Sequence, residues 1–153
     1  MKLRYVAVII VVLLFALGYR GIVHVNNRIA HGLEERLLEF PLPPETELLD
    51  SKAIAGKLSG NGNGMQYRGM LLLSSSLSEE ELFEHYSELS DGELFVWVYP
   101  QKSQKIYEYY DDYWFEYWDN AKPNWRIELF SSSIVGCEET IQESILNFDI
   151  RGH

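Results

Sequence analysis

The sequence predicts an α+β fold, in which an N-terminal transmembrane helix precedes an antiparallel sheet of about five strands packed on one main helix. Three observations support this prediction. An uninterrupted apolar run occupies residues 5–19, strand-like segments bounded by glycine and proline follow, and Ser78 begins the clearest helix signal in the chain. We divide the chain into a transmembrane anchor (1–25), a helical stalk (26–40) and an extracytoplasmic α+β domain (41–153).

The apolar run, YVAVIIVVLLFALGY, follows two basic residues. Its helix would span about 22 Å, which is shorter than a hydrocarbon core of about 30 Å. A full crossing therefore requires residues 3–25, with the Arg20 side chain reaching the interface. We predict an uncleaved single-pass anchor in the cell membrane, with the C-terminal domain outside. The alternative is a signal peptide cleaved after Gly18, which would secrete the domain.

Charge is distributed unevenly along the chain. Residues 1–39 carry five basic and three acidic residues, whereas residues 40–153 carry eight basic and twenty acidic residues, a net charge of -12. So acidic a domain repels the phosphates of nucleic acids and of anionic lipids. We therefore expect no nucleic-acid partner, and a domain that stands away from the bilayer.

Residues 26–40, NNRIAHGLEERLLEF, have helical periodicity, with Leu33, Leu37 and Phe40 near one face. We interpret this segment as a stalk that continues the membrane helix; a partner-binding or dimerising helix is the alternative. Pro41 and the prolines after it end the helix, because proline lacks the amide hydrogen that a helix needs.

A hairpin is predicted next. Residues 47–58 and 65–73 form its strands, and the glycine-rich stretch 60–64 forms the turn, since Asn-Gly pairs supply the positive φ angles of tight hairpin turns. The glycines do not indicate a phosphate-binding loop, because a strand follows them rather than a helix N-terminus.

A helix from Ser78 to Leu89 follows the hairpin. Ser78 and Glu81 have the spacing of a capping box, and the three glutamates of the first turn complement the helix dipole. Strands are predicted at 94–99, where Pro100 ends the strand, and at 125–130. A short helix is predicted at 138–147.

Residues 106–118, IYEYYDDYWFEYW, are unusually aromatic. Eight of the thirteen residues are aromatic and four are acidic. They form either one strand or two strands joined by a turn at Asp111 and Asp112. Aromatic side chains with adjacent carboxylates are suited to a basic or glycan partner. We predict a binding surface here, formed by Tyr107, Tyr109, Tyr110, Tyr113, Trp114 and Trp118.

Much of the domain resembles a group of small, mostly uncharacterised proteins of Gram-positive bacteria that are membrane-anchored or exported. The shared features are a proline-rich start, a glycine-rich hairpin and an LS-x-EEL-x-x-x-Y helix. The matching residues are Pro41, Pro43, Pro44, Gly60 to Gly64, Leu77, Ser78, Glu80, Glu81, Leu82 and Tyr86. The resemblance covers about two-thirds of the exported part and implies a location and a fold type, but no catalytic residues.

No residue pattern indicates a catalytic site, and we expect no metal and no cofactor. A short span contains four carboxylates with oxygen ligands suited to calcium, but they lack the spacing of a calcium-binding loop: Asp111, Asp112, Glu116 and Asp119. Cys137 is the single cysteine and is interpreted as a small buried apolar side chain. The function indicated is a non-enzymatic interaction domain held at the membrane, with a protein or glycan partner in the cell envelope. The alternative is a cell-envelope hydrolase that uses acidic residues near 106–118.

Overall fold

The computed structural model of the chain describes residues 2–59, 64–106, 109, 112–119, 123–132 and 140–151, with side chains from residue 4 onward. In chain order the elements are α1 (Lys2–Glu39), β1 (Thr46–Gly56), β2 (Gln66–Ser75), α2 (Glu79–Tyr86), a 3₁₀ turn (Ser87–Leu89), β3 (Phe95–Gln101), β4 (Lys105–Ile106), β5 (Tyr113–Trp114), β6 (Asn124–Ser132) and α3 (Ile141–Leu146). Within the described ranges, one four-stranded antiparallel sheet has the order β1-β2-β6-β3, and β4 pairs with β5 separately. The predicted α+β class is confirmed.

Helix α1 is 38 residues long, or about 57 Å. Its N-terminal half is exposed, and its most apolar 18-residue window has a mean hydropathy of 2.5 with none of the window buried. The helix is therefore long and apolar enough to cross a membrane, and it fits either a single-pass anchor or a signal sequence.

The C-terminal half of α1 lies on the sheet. Asn26, Ala30, Leu33 and Leu37 recur at helical spacing and are buried. The helix comes closest at Gly69 of β2, where an added Cβ would collide with the backbone of α1. The segment that we interpreted as a stalk thus supplies side chains to the main hydrophobic core.

Helix α1, rather than α2, covers most of this face of the sheet. The capping box and apolar stripe of residues 78–89 predicted that this helix would be the main one packed on the sheet. Helix α2 instead lies beside β3 and the C-terminal end of α1, where the Phe40 ring is 5.6 Å from that of Tyr86. The apolar stripe of 26–40 is equally suited to a stalk and to a core helix, so its periodicity did not decide between them.

The predicted hairpin is confirmed, with Thr46 opposite Ser75 and Gly56 opposite Gln66. Residues 60–63 of its turn lie outside the described residues. Strand β3 continues through Pro100 to Gln101, contrary to the predicted end at Pro100. It is an edge strand, where a missing amide hydrogen removes no hydrogen bond of the sheet.

In the 105–118 segment, the described residues (105–106, 109 and 112–118) fold over the second face of the sheet. The short β4–β5 pair favours the interpretation of this segment as two strands, although Asp111 of the proposed turn lies outside the described residues. The Phe115 side chain is fully buried in a second apolar cluster with side chains of β1 and β2. Asp50 of β1 fixes the segment by accepting hydrogen bonds from the amides of Glu116 (2.6 Å) and Tyr117 (3.0 Å).

Helix α3 confirms the predicted C-terminal helix and begins with a second capping box, Thr140 with Glu143. A buried polar network attaches its end to α1. The amide of Asn26 donates to Asp149 at 2.9 Å, and the Tyr67 hydroxyl donates to Asn26 at 2.9 Å. Burial and the nearby carboxylates raise the pKa of Tyr67 to about 12.

Asp149 is a stability determinant that depends on pH. Its burial favours a higher pKa, but hydrogen bonds from Arg151 and Asn26 outweigh that effect and lower the pKa of Asp149 below its usual value. Its stabilising contribution is therefore present above the unfolded-state pKa, about 4, and is lost as the pH falls through the lower folded-state pKa.

We expect Asp149→Asn to lower the free energy of unfolding at pH 7 by about 2 kcal/mol, because charge-assisted hydrogen bonds are lost. The substitution should also remove part of the decrease in stability below pH 4. Denaturant unfolding of the full chain in detergent, measured from pH 2 to 7, tests both effects. Glu47→Gln, at an exposed carboxylate, is the control; equal pH profiles for the two variants would contradict the prediction.

Candidate functional site

A buried charge network lies on the second face of the sheet, where β2, β3 and β6 are adjacent. Glu128 lies between two arginines: its carboxylate is 2.9 Å from Arg68 Nη1 and 2.8 Å from Arg126 Nε. The Tyr109 hydroxyl donates to Glu128 at 2.7 Å, and Arg126 Nη1 donates to Gln101 at 2.8 Å. All three charged side chains are less than 5% exposed. We refer to Arg68, Arg126 and Glu128 as the charge network.

Sequence alternation places these charged residues on the strand faces opposite the main core. Ile127 and Leu129 of β6 face α1, so Arg126 and Glu128 point to the other side. That side is buried because the 105–118 segment and neighbouring aromatic side chains cover it. The charge network was missed by sequence reasoning, since a charged residue at alternate strand positions normally indicates a solvent-exposed face.

Aromatic rings enclose the arginines. The guanidinium carbon of Arg68 lies 4.0 Å from the ring centroid of Phe130 and 5.2 Å from that of Trp97. The guanidinium carbon of Arg126 lies 4.8 Å from the ring centroid of Tyr99. Cation–π contacts of this kind contribute about 0.5–2 kcal/mol each, so the buried arginines stabilise the positions of the rings that lie over them.

We define an aromatic surface by the rings of Phe95, Trp97 and Phe130, of which Trp97 and Phe130 contact Arg68. The Phe130 centroid is 6.3 Å from that of Phe95 and 5.7 Å from that of Trp97. Phe95 is 48% exposed and Trp97 is 42% exposed. Tryptophan is enriched at protein-binding hot spots, so the half-exposed Trp97 makes this surface a candidate interface.

Next to the aromatic surface, a groove of about 450 Å³ runs between β3 and α2. Its walls include Phe83 and Trp97, and Glu79 and Glu80 form its acidic rim. The groove follows an edge strand of the sheet. The amide of Val96 points outward and donates to Ser90 Oγ at 3.2 Å, so Val98, two residues further, directs its backbone groups to the same side.

The predicted binding surface is distributed over different environments. Tyr113 and Trp118 pack against the second apolar cluster, as does Tyr109, whereas Trp114 is 49% exposed. The structure brings Tyr109 and Tyr113 together, with centroids 5.9 Å apart. Tyr107 and Tyr110 lie outside the described residues, as does Cys137.

The aromatic surface itself was not among the predicted site residues. Phe95 and Trp97 were interpreted only as strand-forming residues. The available signal was their spacing: they alternate with Val96 and Val98 in an edge strand, so they share the face opposite the core.

Among the described residues, four carboxyl groups have perturbed pKa values, and all four pKa values are lowered. Hydrogen bonds from Ser78 lower the pKa of Glu81, and hydrogen bonds from Thr140 lower the pKa of Glu143. Hydrogen bonds from the backbone amides of Leu94 and Glu93 lower the pKa of Asp91. Asp149 is the fourth. A general acid at neutral pH requires the opposite shift, so these groups act as caps and anchors and give no support to the hydrolase alternative.

Among the described residues, no group of three or more His, Cys, Asp and Glu side chains could hold a metal ion. Asp112, one of the oxygen donors considered from the sequence, is paired with Lys105. Comparison of the chain with known protein families, curated proteins and solved structures gives no significant match.

Proposed function

We propose that this chain is a single-pass membrane-anchored protein whose acidic domain lies outside the membrane and binds a basic polypeptide without catalysing a reaction. The N-terminal half of α1 is the anchor, residues 26–40 connect it to the domain, and the partner belongs to the cell envelope. The exposed apolar helix supports anchoring, and the resemblance to exported Gram-positive proteins is consistent with this location.

The aromatic surface is the observation that carries the binding proposal. Trp97 and Phe95 remain about half exposed although neighbouring rings and the buried Arg68 hold them in place. A prearranged aromatic side chain loses little conformational entropy on binding, which is why tryptophan is enriched at binding hot spots. The charge network supports this surface through Arg68.

The shape and charge of the adjacent groove indicate the partner's chemistry. An extended polypeptide can pair with an edge strand, with its side chains in flanking pockets. Glu79 and Glu80 at the rim favour lysine or arginine in that polypeptide, and the net charge of -12 on residues 40–153 attracts a basic partner over longer distances. A basic extended segment therefore fits this site better than a neutral glycan does.

We expect Trp97→Ala to reduce partner capture by at least about tenfold, the typical effect of truncating a hot-spot side chain. Leu48→Ala is the matched control, because Leu48 is exposed to a similar degree on β1, the opposite edge strand. A photo-crosslinking residue at Phe83 in the groove wall or at Leu48, in the full-length anchored protein in its native envelope, leaves Trp97 in place and identifies the captured segment by mass spectrometry.

The expected crosslinked segment is rich in lysine and arginine. The crosslink forms only from the Phe83 position, and its yield falls in Trp97→Ala and when Glu79 and Glu80 are replaced by glutamine. An acidic segment, a glycan, or equal capture from both positions would contradict the proposal. The mass of the mature protein tests the anchor separately, since signal cleavage removes about 18 residues.

A further inference from the structure

The C-terminal segment of the domain lies where α1 leaves the proposed membrane span. The Asn26 amide donates to the Leu146 carbonyl at 3.1 Å, and Arg151 Nη1 donates to Asn27 at 2.8 Å. These bonds fix α3 and the residues after it beside the middle of α1. Phe40 lies about 21 Å further along the helix, where α2 packs. The two ends of the domain are thus well separated along the helix axis.

Helix α3 has an apolar face directed away from the protein. Ile141, Ile145 and Phe148 follow helical spacing and are 83%, 48% and 69% exposed, and Ile150 is 67% exposed. Leu146 is the buried residue of the helix. We define Ile141, Ile145, Phe148 and Ile150 as the C-terminal apolar patch. Surfaces in contact with water usually expose large apolar side chains singly, whereas this short segment exposes four of them together.

The patch is continuous with the apolar surface of α1. Phe148 lines a groove of about 490 Å³ together with side chains of the proposed span, namely Leu14, Phe15, Gly18, Tyr19 and Ile22. Those residues are in contact with lipid if α1 crosses the membrane. A side chain that shares their groove is therefore at the level of the bilayer.

We propose that the C-terminal apolar patch lies in the interface of the bilayer that α1 spans, so that the domain rests on the membrane at its α3 end. This inference depends on the proposed anchoring. Interfacial segments place isoleucine and phenylalanine among the acyl chains and keep their polar residues in the headgroup region. The α2 end, with the groove next to the aromatic surface, then faces away from the lipid.

Charge near the patch permits this contact although the whole domain is acidic, because Arg20 and Arg28 offset Glu143 of α3. In addition, Arg151 pairs with Asp149. Arg20 and Arg28 are exposed on α1, on either side of the level where α3 is attached. Charges further away than about 10 Å are largely screened in physiological salt, so these arginines contribute more to the local potential than the distant carboxylates of α2 do. Net charge alone predicts that the whole domain stands away from the bilayer. With the α3 end at the interface, only the α2 end stands away from it.

Lipid quenching tests the inference in the full-length protein. Cys137 is replaced by serine, and a single cysteine with an environment-sensitive fluorophore is placed at Phe148 or at Ile145. The protein is reconstituted in phosphatidylcholine–phosphatidylglycerol vesicles with or without brominated acyl chains. Leu13→Cys in the span is the positive control, and Phe83→Cys, 49% exposed on α2, is the negative control.

We expect bromolipid to quench the probes at Phe148 and Ile145 at least about half as strongly as the probe at Leu13, and to leave the probe at Phe83 unaffected. Quenching at Leu13 without quenching at either patch position would overturn the inference and leave the anchor intact. No quenching at Leu13 would overturn both. Probes at Phe148 that self-quench with increasing protein density, without bromolipid quenching, would show that a second copy covers the patch and would also overturn the inference.

Discussion

Replacing Glu128 by alanine is expected to lower the free energy of unfolding by about 3–5 kcal/mol, because the substitution leaves buried arginine charge uncompensated. Glu128 is 1% exposed and lies within 2.9 Å of Arg68 and Arg126. The intact network need not add much stability by itself, since removing charges from water offsets most of their attraction. Removing one partner is different: the desolvation cost of the arginines remains, and the compensating carboxylate is lost.

Urea unfolding of the full chain in detergent, followed by tryptophan fluorescence, measures this effect. Arg36→Gln is the control, because the Arg36–Asp91 ion pair is 3.7 Å long and both side chains are about half exposed. Exposed pairs contribute at most about 1 kcal/mol. Similar unfolding midpoints for the two variants would show that the charge network is hydrated. Arg68 would then not be a fixed support for the Trp97 ring.

The same substitution links stability to the proposed function. Arg68 contacts the rings of Trp97 and Phe130, so loss of Glu128 frees the arginine to change position and disturbs the aromatic surface. We therefore expect Glu128→Ala to weaken partner capture even under conditions in which the domain stays folded. Trp97→Ala, in contrast, should weaken capture at a smaller cost in stability, because Trp97 is 42% exposed and its loss leaves no buried charge without its partner.

Local signals in the sequence predicted the secondary structure well. The Asn-Gly stretch predicted the β1–β2 hairpin, the Ser78 capping box predicted α2, and both are confirmed. Thr140 and Glu143 have the same capping spacing, and this signal was available but not used. Such motifs act within a few residues, so a single sequence contains all the information they need.

Packing between distant segments could not be predicted in the same way. Nothing local in 26–40 distinguishes a stalk from a core helix, since only its contacts with the distant strands β1 and β2, including that at Gly69, decide it. Arg126 and Glu128 alternate with apolar residues, as surface residues do, and become buried because the 105–118 segment folds over them. The candidate site therefore depends on long-range contacts, which explains why the predicted surface and the observed aromatic surface share no residue.

Gly69→Ala is expected to destabilise the domain by about 3 kcal/mol, at the upper end of the range for overpacking a core. A Cβ at this position would lie 2.7 Å from the Leu33 carbonyl oxygen and would collide with the Leu33 carbonyl carbon and the Glu34 amide nitrogen. All three are backbone atoms of α1, so no side chain can rotate to make room. Either the helix moves away from the sheet or β2 distorts.

Gly32→Ala provides the control on the helix itself. Gly32 lies in the same part of α1, and an added Cβ there meets no heavy atom within 4 Å. Alanine is favoured over glycine by up to about 1 kcal/mol inside a helix, so this variant should be as stable as the original chain or more stable. Unfolding midpoints in urea for the two alanine variants should therefore change in opposite directions. Equal midpoints would mean that α1 can leave the sheet without cost, as a stalk would, and that residues 41–153 form the domain without it.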